Sequence, residues 1–287
     1  MIKMRSVSAV ALLWALGCGG SGGEPTPGDG ASAERFEESN VVTPDGVRLY
    51  VRVSGSGPDT VIVPAALYLA RDFGPLAQGR TLIFFDPRGR GASDFVLDST
   101  RLGIEQEIAD IEFIREQFGI ERISLIGWSY LGAVVALYAA EYPDRVTRVV
   151  QVGPMAPTSE LSEYDGTRGS PPDSADRAFM AELAQSGRAE VDPVGYCREN
   201  AMRMMIRPMM GRPDSAIRMK ADPCLYWNEW PTQLFRMLRH VVPAEWDYTE
   251  RARLLSAPVL TIHGTADPNA AVEGGRAWAE IRPTPWP

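Results

Sequence analysis

The chain has 287 residues, of which 45% are hydrophobic and 23% charged, and its formal net charge at pH 7 is −8. This length and composition support one sizeable folded core that carries an insertion, and they exclude a disordered chain. The acidic balance argues against nucleic acid and anionic lipid surfaces as partners, because clustered Lys and Arg bind both. It is compatible with a small or neutral substrate.

The N-terminal segment has the features of an export signal. Lys3 and Arg5 form a basic start, residues 7–16 are largely apolar, and Cys18 follows. The apolar stretch is too short to span a bilayer core of ~30 Å, which favours a signal over a transmembrane helix. Residues 1–18 resemble a bacterial lipoprotein signal that ends in a lipidated Cys18. We expect an exported cell-envelope lipoprotein that touches the membrane only through this anchor; plain secretion is the alternative.

Residues 19–37 are predicted to be a flexible linker. They begin with a run rich in Gly, Pro and Ser, which cannot bury an apolar core. A linker of this kind would hold the folded part of the chain away from the membrane to which Cys18 attaches it.

Residues 38–153 and 246–287 are predicted to form one α/β core. Strands alternate with helices in this part of the chain, which predicts a parallel sheet covered on both faces. In chain order we expect a hairpin at 38–53, strands at 60–63 and 81–86, a helix at 104–118, a strand at 122–126, a helix at 131–142, and strands at 146–152 and 258–264.

Residues 154–245 interrupt this alternation and are predicted to be a mostly helical lid over the mouth of the sheet. The segment is rich in Pro at first and then in Met. The methionines either line a substrate pocket or form the lid's own core. Cys197 and Cys224 also lie here, and in an oxidising compartment they predict a disulfide. Two buried free cysteines are the alternative.

A serine lies at the predicted junction of a buried strand and a helix, in the sequence Gly127-Trp-Ser129-Tyr-Leu-Gly132. A sharp turn at this point strains the backbone of the serine and lifts its hydroxyl to the edge of the sheet. Such a turn requires small neighbours, which Gly127 and Gly132 supply, although the second glycine comes one residue later than usual. The pattern predicts Ser129 as a nucleophile; an ordinary serine in a turn is the alternative.

With this turn, three further motifs give the chain a resemblance to the α/β-hydrolase superfamily, and within it to the proline-iminopeptidase-like and esterase branch. The resemblance covers residues 38–281. It implies an α/β-hydrolase fold with a doubly wound, mostly parallel sheet. It also implies Ser129 as nucleophile and Asp267 as the acid of a catalytic triad, with a small ester or peptide as substrate and no metal or organic cofactor. The motifs are Asp86-Pro-Arg-Gly-Arg-Gly-Ala-Ser93, Glu141-Tyr-Pro-Asp-Arg-Val146 and His263-Gly-Thr-Ala-Asp267.

The resemblance also implies which groups would bind the oxyanion of an acyl-transfer intermediate. The backbone N–H of Tyr130 is the first expected donor. The second comes from the loop after the third strand, where the family usually has His-Gly-Gly and this chain has Pro64-Ala65-Ala66. A backbone N–H survives side-chain replacement, so Ala66 or Leu67 can serve; Tyr68 could instead point its hydroxyl into the site.

Two further residues are candidates for substrate binding. Trp128 directly precedes the predicted nucleophile and is expected to contact the substrate. Glu229, in the predicted lid, could capture a substrate's amino terminus, as lid glutamates do in iminopeptidases. An exposed glutamate on a helix is the more ordinary interpretation of Glu229.

The histidine that should complete the triad does not follow Asp267. The chain contains two histidines, His240 and His263, and the family places the base after an eighth strand. Three explanations stay open: the last strand and helix are missing through truncation, another histidine substitutes, or the chain is a non-catalytic relative. The first is favoured, because the sequence ends on Pro-Trp-Pro where that strand is expected.

The predicted function is therefore that of a serine hydrolase acting on an ester or an aminoacyl or peptide bond through an acyl-enzyme at Ser129. Its activity depends on a base that the sequence pattern does not supply. The alternative is an inactive relative that binds a ligand, or a non-functional truncated product.

Overall fold

A computed structural model of the chain describes residues 37–65, 69–70, 73–162, 174–192, 195–196, 199, 245–265, 267 and 270–281. The chain separates into two units, Met1–Ala33 and Glu34–Pro287, and all of the described residues belong to the second. The export signal with its lipidated Cys18 lies outside the described residues, so both stay predictions.

In the described part of the chain, seven strands form one sheet. They are β1 (Glu37–Val42), β2 (Arg48–Gly55), β3 (Asp59–Pro64), β4 (Arg80–Phe85), β5 (Ile123–Trp128), β6 (Val146–Val152) and β7 (Val259–Ile262). The strand order is β1-β2-β4-β3-β5-β6-β7. β1 pairs antiparallel with β2, and β2 with β4, whereas every pair from β4 to β7 is parallel. The predicted mostly parallel sheet is confirmed.

Among the described residues, six α-helices lie between the parallel strands or, for the last of them, after β7. They are α1 (Ile104–Gln117), α2 (Tyr130–Glu141), α3 (Ser174–Gln185), α4 (Arg188–Val191), α5 (Thr249–Ala252) and α6 (Val272–Ile281), with short 3-10 helices at Gly74–Ala77, Ser99–Arg101, Pro143–Arg145 and Ser159–Ser162. The two core helices predicted from the sequence agree with α1 and α2 within one residue at each end. No helix among the described residues is long and apolar enough to cross a membrane.

The predicted lid is only partly described. α3 and α4 lie within residues 154–245, and the first of them is twelve residues long. Cys197, Cys224 and most of the Met-rich stretch lie outside the described residues. The lid and its disulfide therefore stay predictions.

The sheet buries apolar side chains on both faces. In β4, Leu82 and Phe84 contact one layer while Ile83 and Phe85 contact the other, and all four are at most 1% exposed. A strand covered on both faces needs a continuous apolar run rather than an alternating one, which is the pattern that the sequence shows.

α2 is the central helix of the fold. Every residue from Tyr130 to Ala140 is buried, because the helix packs on β5 and β6 and is covered by α1 and α5. A helix that is apolar around its whole circumference must be enclosed in this way. The residues at the start of α2 are thus held on several sides.

β7 pairs with β6 and with no other strand in the part of the chain that the structure describes. Its Val259 is buried, but Leu260 and Ile262 are 39% and 51% exposed. These two side chains share a face with Val150 and Val152, their partners in β6. The predicted loss of an eighth strand and a last helix stays a prediction.

A buried arginine ties the first hairpin to α1. Arg88, in the loop after β4, donates to both carboxylate oxygens of Asp110 at 2.6 and 2.7 Å and to Asp45 Oδ2 at 2.8 Å. Asp45 lies in the turn between β1 and β2. The hydrogen bond from Arg88 holds the pKa of the Asp45 carboxyl well below its usual range.

The first prediction concerns this turn: Asp45→Asn should lower the free energy of unfolding at pH 7. Because the pKa of Asp45 is lower in the folded chain, its carboxylate stabilises the fold above about pH 4, and this contribution is lost as the pH falls below that value. The stability difference between the variant and the parent should therefore narrow between about pH 4 and pH 2. Urea unfolding at several pH values measures it.

The control is Asp59→Asn, which removes an exposed carboxylate at the start of β3. It should change stability little at pH 7. A deficit of Asp45→Asn that stays constant down to about pH 2 would contradict the role given to the Asp45 carboxylate.

Candidate active site

Ser129 lies in the turn between β5 and α2 with φ of 54° and ψ of −128°. A positive φ is uncommon outside glycine, and such strain costs about 1–3 kcal/mol. Among the non-glycine residues that the structure describes, only Ala65 shares this property. The strained turn predicted at the serine is therefore present.

Two glycines allow the strand and the helix to meet this closely. A Cβ on Gly127 would lie 2.3 Å from the carbonyl oxygen of Leu131, and a Cβ on Gly132 would lie 3.0 Å from the Cβ of Pro154. Any side chain at Gly127 would push α2 away from β5. The small neighbours predicted around the serine are needed for this contact.

Hydrogen bonds fix the backbone of Ser129 on both sides. Its N–H donates to the carbonyl oxygen of Val152 at 3.0 Å, at the end of β6. Its own carbonyl oxygen accepts from the N–H of Gly132 at 2.9 Å and from that of Met155 at 3.0 Å. The turn is thus bonded to its own helix and to the segment after β6.

Asp267 lies beside the end of β6. Its Oδ2 is 3.4 Å from the position that a Cβ on Gly153 would occupy, and its Oδ1 accepts from the N–H of Ala270 at 3.1 Å. Since the N–H of Ser129 bonds to Val152, Ser129 and Asp267 stand on either side of the Val152-Gly153 peptide. The parallel sheet brings both residues to its carboxyl edge.

The ring of His263 packs against α6 and bonds to a backbone carbonyl rather than to Ser129. Its Nε2 lies 2.9 Å from the carbonyl oxygen of Ala270, and because a carbonyl only accepts, Nε2 carries the proton. Its ring lies against α6, where a Cβ on Gly275 would come 2.4 Å from Nδ1. Nε2 is 4.0 Å from Asp267 Oδ2. His263 therefore shapes the loop that carries Asp267.

The predicted oxyanion donors are described only in part. Tyr130 is the first residue of α2, and the N–H groups of a helix's first turn have no acceptor within the helix. Ala65 has φ of 77°, and its N–H donates to the carbonyl oxygen of Phe85 at 2.7 Å. Ala66, Leu67 and Tyr68 lie outside the described residues, so their roles stay predictions.

The part of the chain that the structure describes does not show the remaining candidate site residues together in one site. Trp128 ends β5, is half-buried, and packs against the core cluster on the far side of the sheet from α2. Glu229 and His240 belong to the part of the chain that is not described. No group of three or more His, Cys, Asp or Glu among the described residues could hold a metal ion.

A buried polar cluster around the Tyr130 ring was not predicted from the sequence. Arg90, in the loop after β4, forms an ion pair with Glu107 of α1, and its guanidinium carbon lies 5.5 Å from the ring centroid of Tyr130. All three side chains are buried. Glu107 Oε2 and the Tyr130 hydroxyl have no hydrogen-bond partner among the described residues, and each such atom costs about 1–3 kcal/mol.

Burial shifts the pKa of both acids in this cluster. Desolvation raises the pKa of the Glu107 carboxyl. Desolvation, and after it the charge of Glu107, raises the pKa of the Tyr130 hydroxyl. One feature of the sequence could have indicated this cluster: Glu107 lies on the same helical face as the buried Ile104, Ile108 and Ile111.

Comparison with known proteins identifies the fold and its family. A sequence model described as alpha/beta hydrolase fold matches residues 64–285. The chain is 28% identical over 158 residues to the human serine hydrolase BPHL, covering 50% of this chain and 53% of that protein. It is 24% identical over 197 residues to a proline iminopeptidase of Lactobacillus delbrueckii subsp. bulgaricus, covering 66% and 65%. The chain thus spans between half and two thirds of these curated relatives.

Solved structures agree on the fold. An alpha/beta fold family hydrolase from Bacillus anthracis str. Sterne superposes with a TM-score of 0.64, covers 87% of this chain and 89% of that one, and is 18% identical. At this identity the likeness concerns the fold alone. It agrees with the mostly parallel sheet described above.

The second prediction concerns the contact between β5 and α2: Gly127→Ala should lower the free energy of unfolding by about 1–3 kcal/mol, because its Cβ would collide with the Leu131 carbonyl. Gly264→Ala is the control, since its nearest contact would be an ordinary 3.7 Å. Thermal unfolding measures both variants. Equal unfolding midpoints for the two variants would contradict a tight contact between β5 and α2.

The third prediction concerns Ala65: replacement by glycine should raise the free energy of unfolding by up to ~1.5 kcal/mol. Glycine removes the strain of φ 77°, about 1–2 kcal/mol, and loses about 0.5–1 kcal/mol to its more flexible unfolded chain. Ala77→Gly, where φ is not positive, should instead destabilise. Urea unfolding compares the two; destabilisation by Ala65→Gly would contradict the left-handed conformation.

Proposed function

Because the chain belongs to the alpha/beta hydrolase fold family, we propose that it is a serine hydrolase in which Ser129 attacks an ester or an aminoacyl or peptide bond. One observation carries the proposal: Ser129 has a strained φ of 54° in the turn between a buried strand and a buried helix. Strain of this kind persists where surrounding contacts impose it, and it clusters at functional sites.

The proposed reaction is acyl transfer in two steps. Ser129 Oγ loses its proton to a base and bonds to the substrate's carbonyl carbon, the leaving group departs with a proton, and water then hydrolyses the acyl-serine. The negative oxygen of each tetrahedral intermediate would accept from the Tyr130 N–H and from a second N–H after β3. Asp267, in the loop after β7, would orient the protonated base and stabilise its charge.

The relatives' names fit this proposal. One of them is named a proline iminopeptidase, which fits cleavage of an aminoacyl or peptide bond, and another a serine hydrolase, which fits a serine nucleophile. The residue that could act as the base can be narrowed further. His263 donates to Ala270, which leaves His240 as the internal candidate among the two histidines.

A second function, ligand binding without turnover, is favoured by the position of His263. Its ring packs on α6 and its proton-bearing nitrogen is bonded to a backbone carbonyl, so it is not placed to receive the Ser129 proton. A chain that retains the turn and Asp267 without a base would keep a shaped site and lose most of its rate.

The fourth prediction tests Ser129 directly with a fluorophosphonate probe, which bonds to activated serines. Labelling should occur in the parent chain and disappear in Ser129→Ala. The matched control is Ser124→Ala, a serine within β5, whose hydroxyl pairs with Thr147 and whose loss should leave labelling intact. Asp267→Asn should slow labelling by at least about a hundredfold.

Loss of labelling in His240→Ala would identify the base. A parent chain that unfolds cooperatively but takes no label would sink the hydrolase proposal. Ligand binding would then be the remaining function, and a rise in the unfolding temperature with a non-cleavable phosphonamide would support it.

A further inference from the structure

We propose that Arg90 and Glu107 are positioning residues that hold the peptide between Ser129 and Tyr130 in the orientation that acyl transfer needs. The inference rests on the proposed function, because that peptide carries the first expected oxyanion donor. Neither side chain is directed to the substrate in this proposal. Both act through the ring of Tyr130.

One end of this peptide is held by hydrogen bonds. The carbonyl oxygen of Ser129 accepts from the N–H groups of Gly132 and Met155 at 2.9 and 3.0 Å. No cis peptide bond occurs in the described chain, and in a trans peptide the N–H points opposite to the carbonyl. The Tyr130 N–H is therefore directed away from these two donors.

The other end is held through a side chain. Relaxation of the strained φ at Ser129 would rotate the peptide and displace the Tyr130 Cα together with its ring. The ring is buried, and the guanidinium of Arg90 lies over it at 5.5 Å. Glu107 fixes Arg90 by a buried ion pair from α1, and α1 packs against α2. The peptide cannot rotate unless this cluster moves.

A second arginine and glutamate pair on α1 shows what a purely structural pair looks like. Arg115 donates to both carboxylate oxygens of Glu112 at 2.8 and 2.6 Å, and the Tyr138 hydroxyl donates to Glu112 Oε2 at 2.6 Å. Every polar atom of that glutamate has a partner.

The Arg90–Glu107 pair is less favourable for stability than the Arg115–Glu112 pair. Glu107 Oε2 and the Tyr130 hydroxyl have no hydrogen-bond partner among the residues described. An apolar cluster of the same volume would avoid this cost. A costly cluster beside a strained residue is expected where geometry at a functional site matters more than stability.

The experiment replaces the pair without leaving a buried charge alone. Arg90→Ala/Glu107→Met removes both charges and uncovers the Tyr130 ring, and Arg115→Ala/Glu112→Met makes the same exchange in the control pair. Fluorophosphonate labelling of Ser129 is resolved into kinact and KI, and hydrogen exchange is followed at the amides of residues 130–133. Unfolding midpoints are recorded for both variants.

We expect kinact to fall at least about tenfold in Arg90→Ala/Glu107→Met with KI nearly unchanged, because the Tyr130 N–H bonds the oxyanion only in the transition state. Exchange at residues 130–133 should accelerate by a similar factor. The control should change neither quantity. Arg90→Lys, which keeps the charge opposite Glu107, should recover part of kinact.

Equal kinact and equal exchange in the two double variants would overturn the inference. A parent chain that takes no label would sink the proposed function instead, and hydrogen exchange alone would then decide. Faster exchange at residues 130–133 only in Arg90→Ala/Glu107→Met would support the inference that Arg90 and Glu107 position the Ser129–Tyr130 peptide. Unchanged exchange would overturn that inference.

Discussion

The peptide that joins Ser129 to Tyr130 is the constraint around which the centre of this molecule is built. It keeps Ser129 in a left-handed conformation, which the chain tolerates only because neighbouring groups resist its relaxation. Those groups come from distant parts of the sequence: Val152, at the end of β6, accepts from the Ser129 N–H, and the Met155 N–H donates to the Ser129 carbonyl oxygen. The close approach of α2 to β5 follows from the same turn.

The parallel sheet determines which residues can meet at this turn. Parallel strands end at one edge, so β5, β6 and β7 deliver Ser129, Gly153 and Asp267 to neighbouring positions there. His263 lies at the same edge, but its ring packs against Gly275 and its Nε2 bonds to Ala270. The same short segment after β7 thus supplies one residue to the candidate site and uses another to hold that residue's loop.

Two arginines of one loop have different tasks although a single residue separates them. Arg88 binds Asp45 and Asp110 and so joins the first hairpin to α1. Arg90 binds Glu107 and covers the ring of Tyr130. Family membership follows from the fold and the matched residues, whereas activity depends on the chemistry of the site. In our proposal, the cluster around Arg90 contributes to that chemistry.

Much of this architecture could be predicted before the structure was known. Continuous apolar runs predict buried parallel strands such as β4, and alternating strands and helices predict their order. The turn at Ser129 was also predictable, since the two glycines and the strand-to-helix change are local features. Local patterns suffice for these elements because each one depends on residues within a few positions of one another.

Partner choice was not predictable in this way. The sequence marks Glu107 as a charge on an apolar helical face, but only the folded chain brings Arg90 and Tyr130 to it. Likewise the bond from His263 to Ala270 and the left-handed backbone of Ala65 depend on how distant segments meet. The sequence by itself determined the elements, their order and the residue at the turn. The tertiary structure decided which buried polar groups are paired, because burial removes water as a partner and leaves only the neighbours that packing provides.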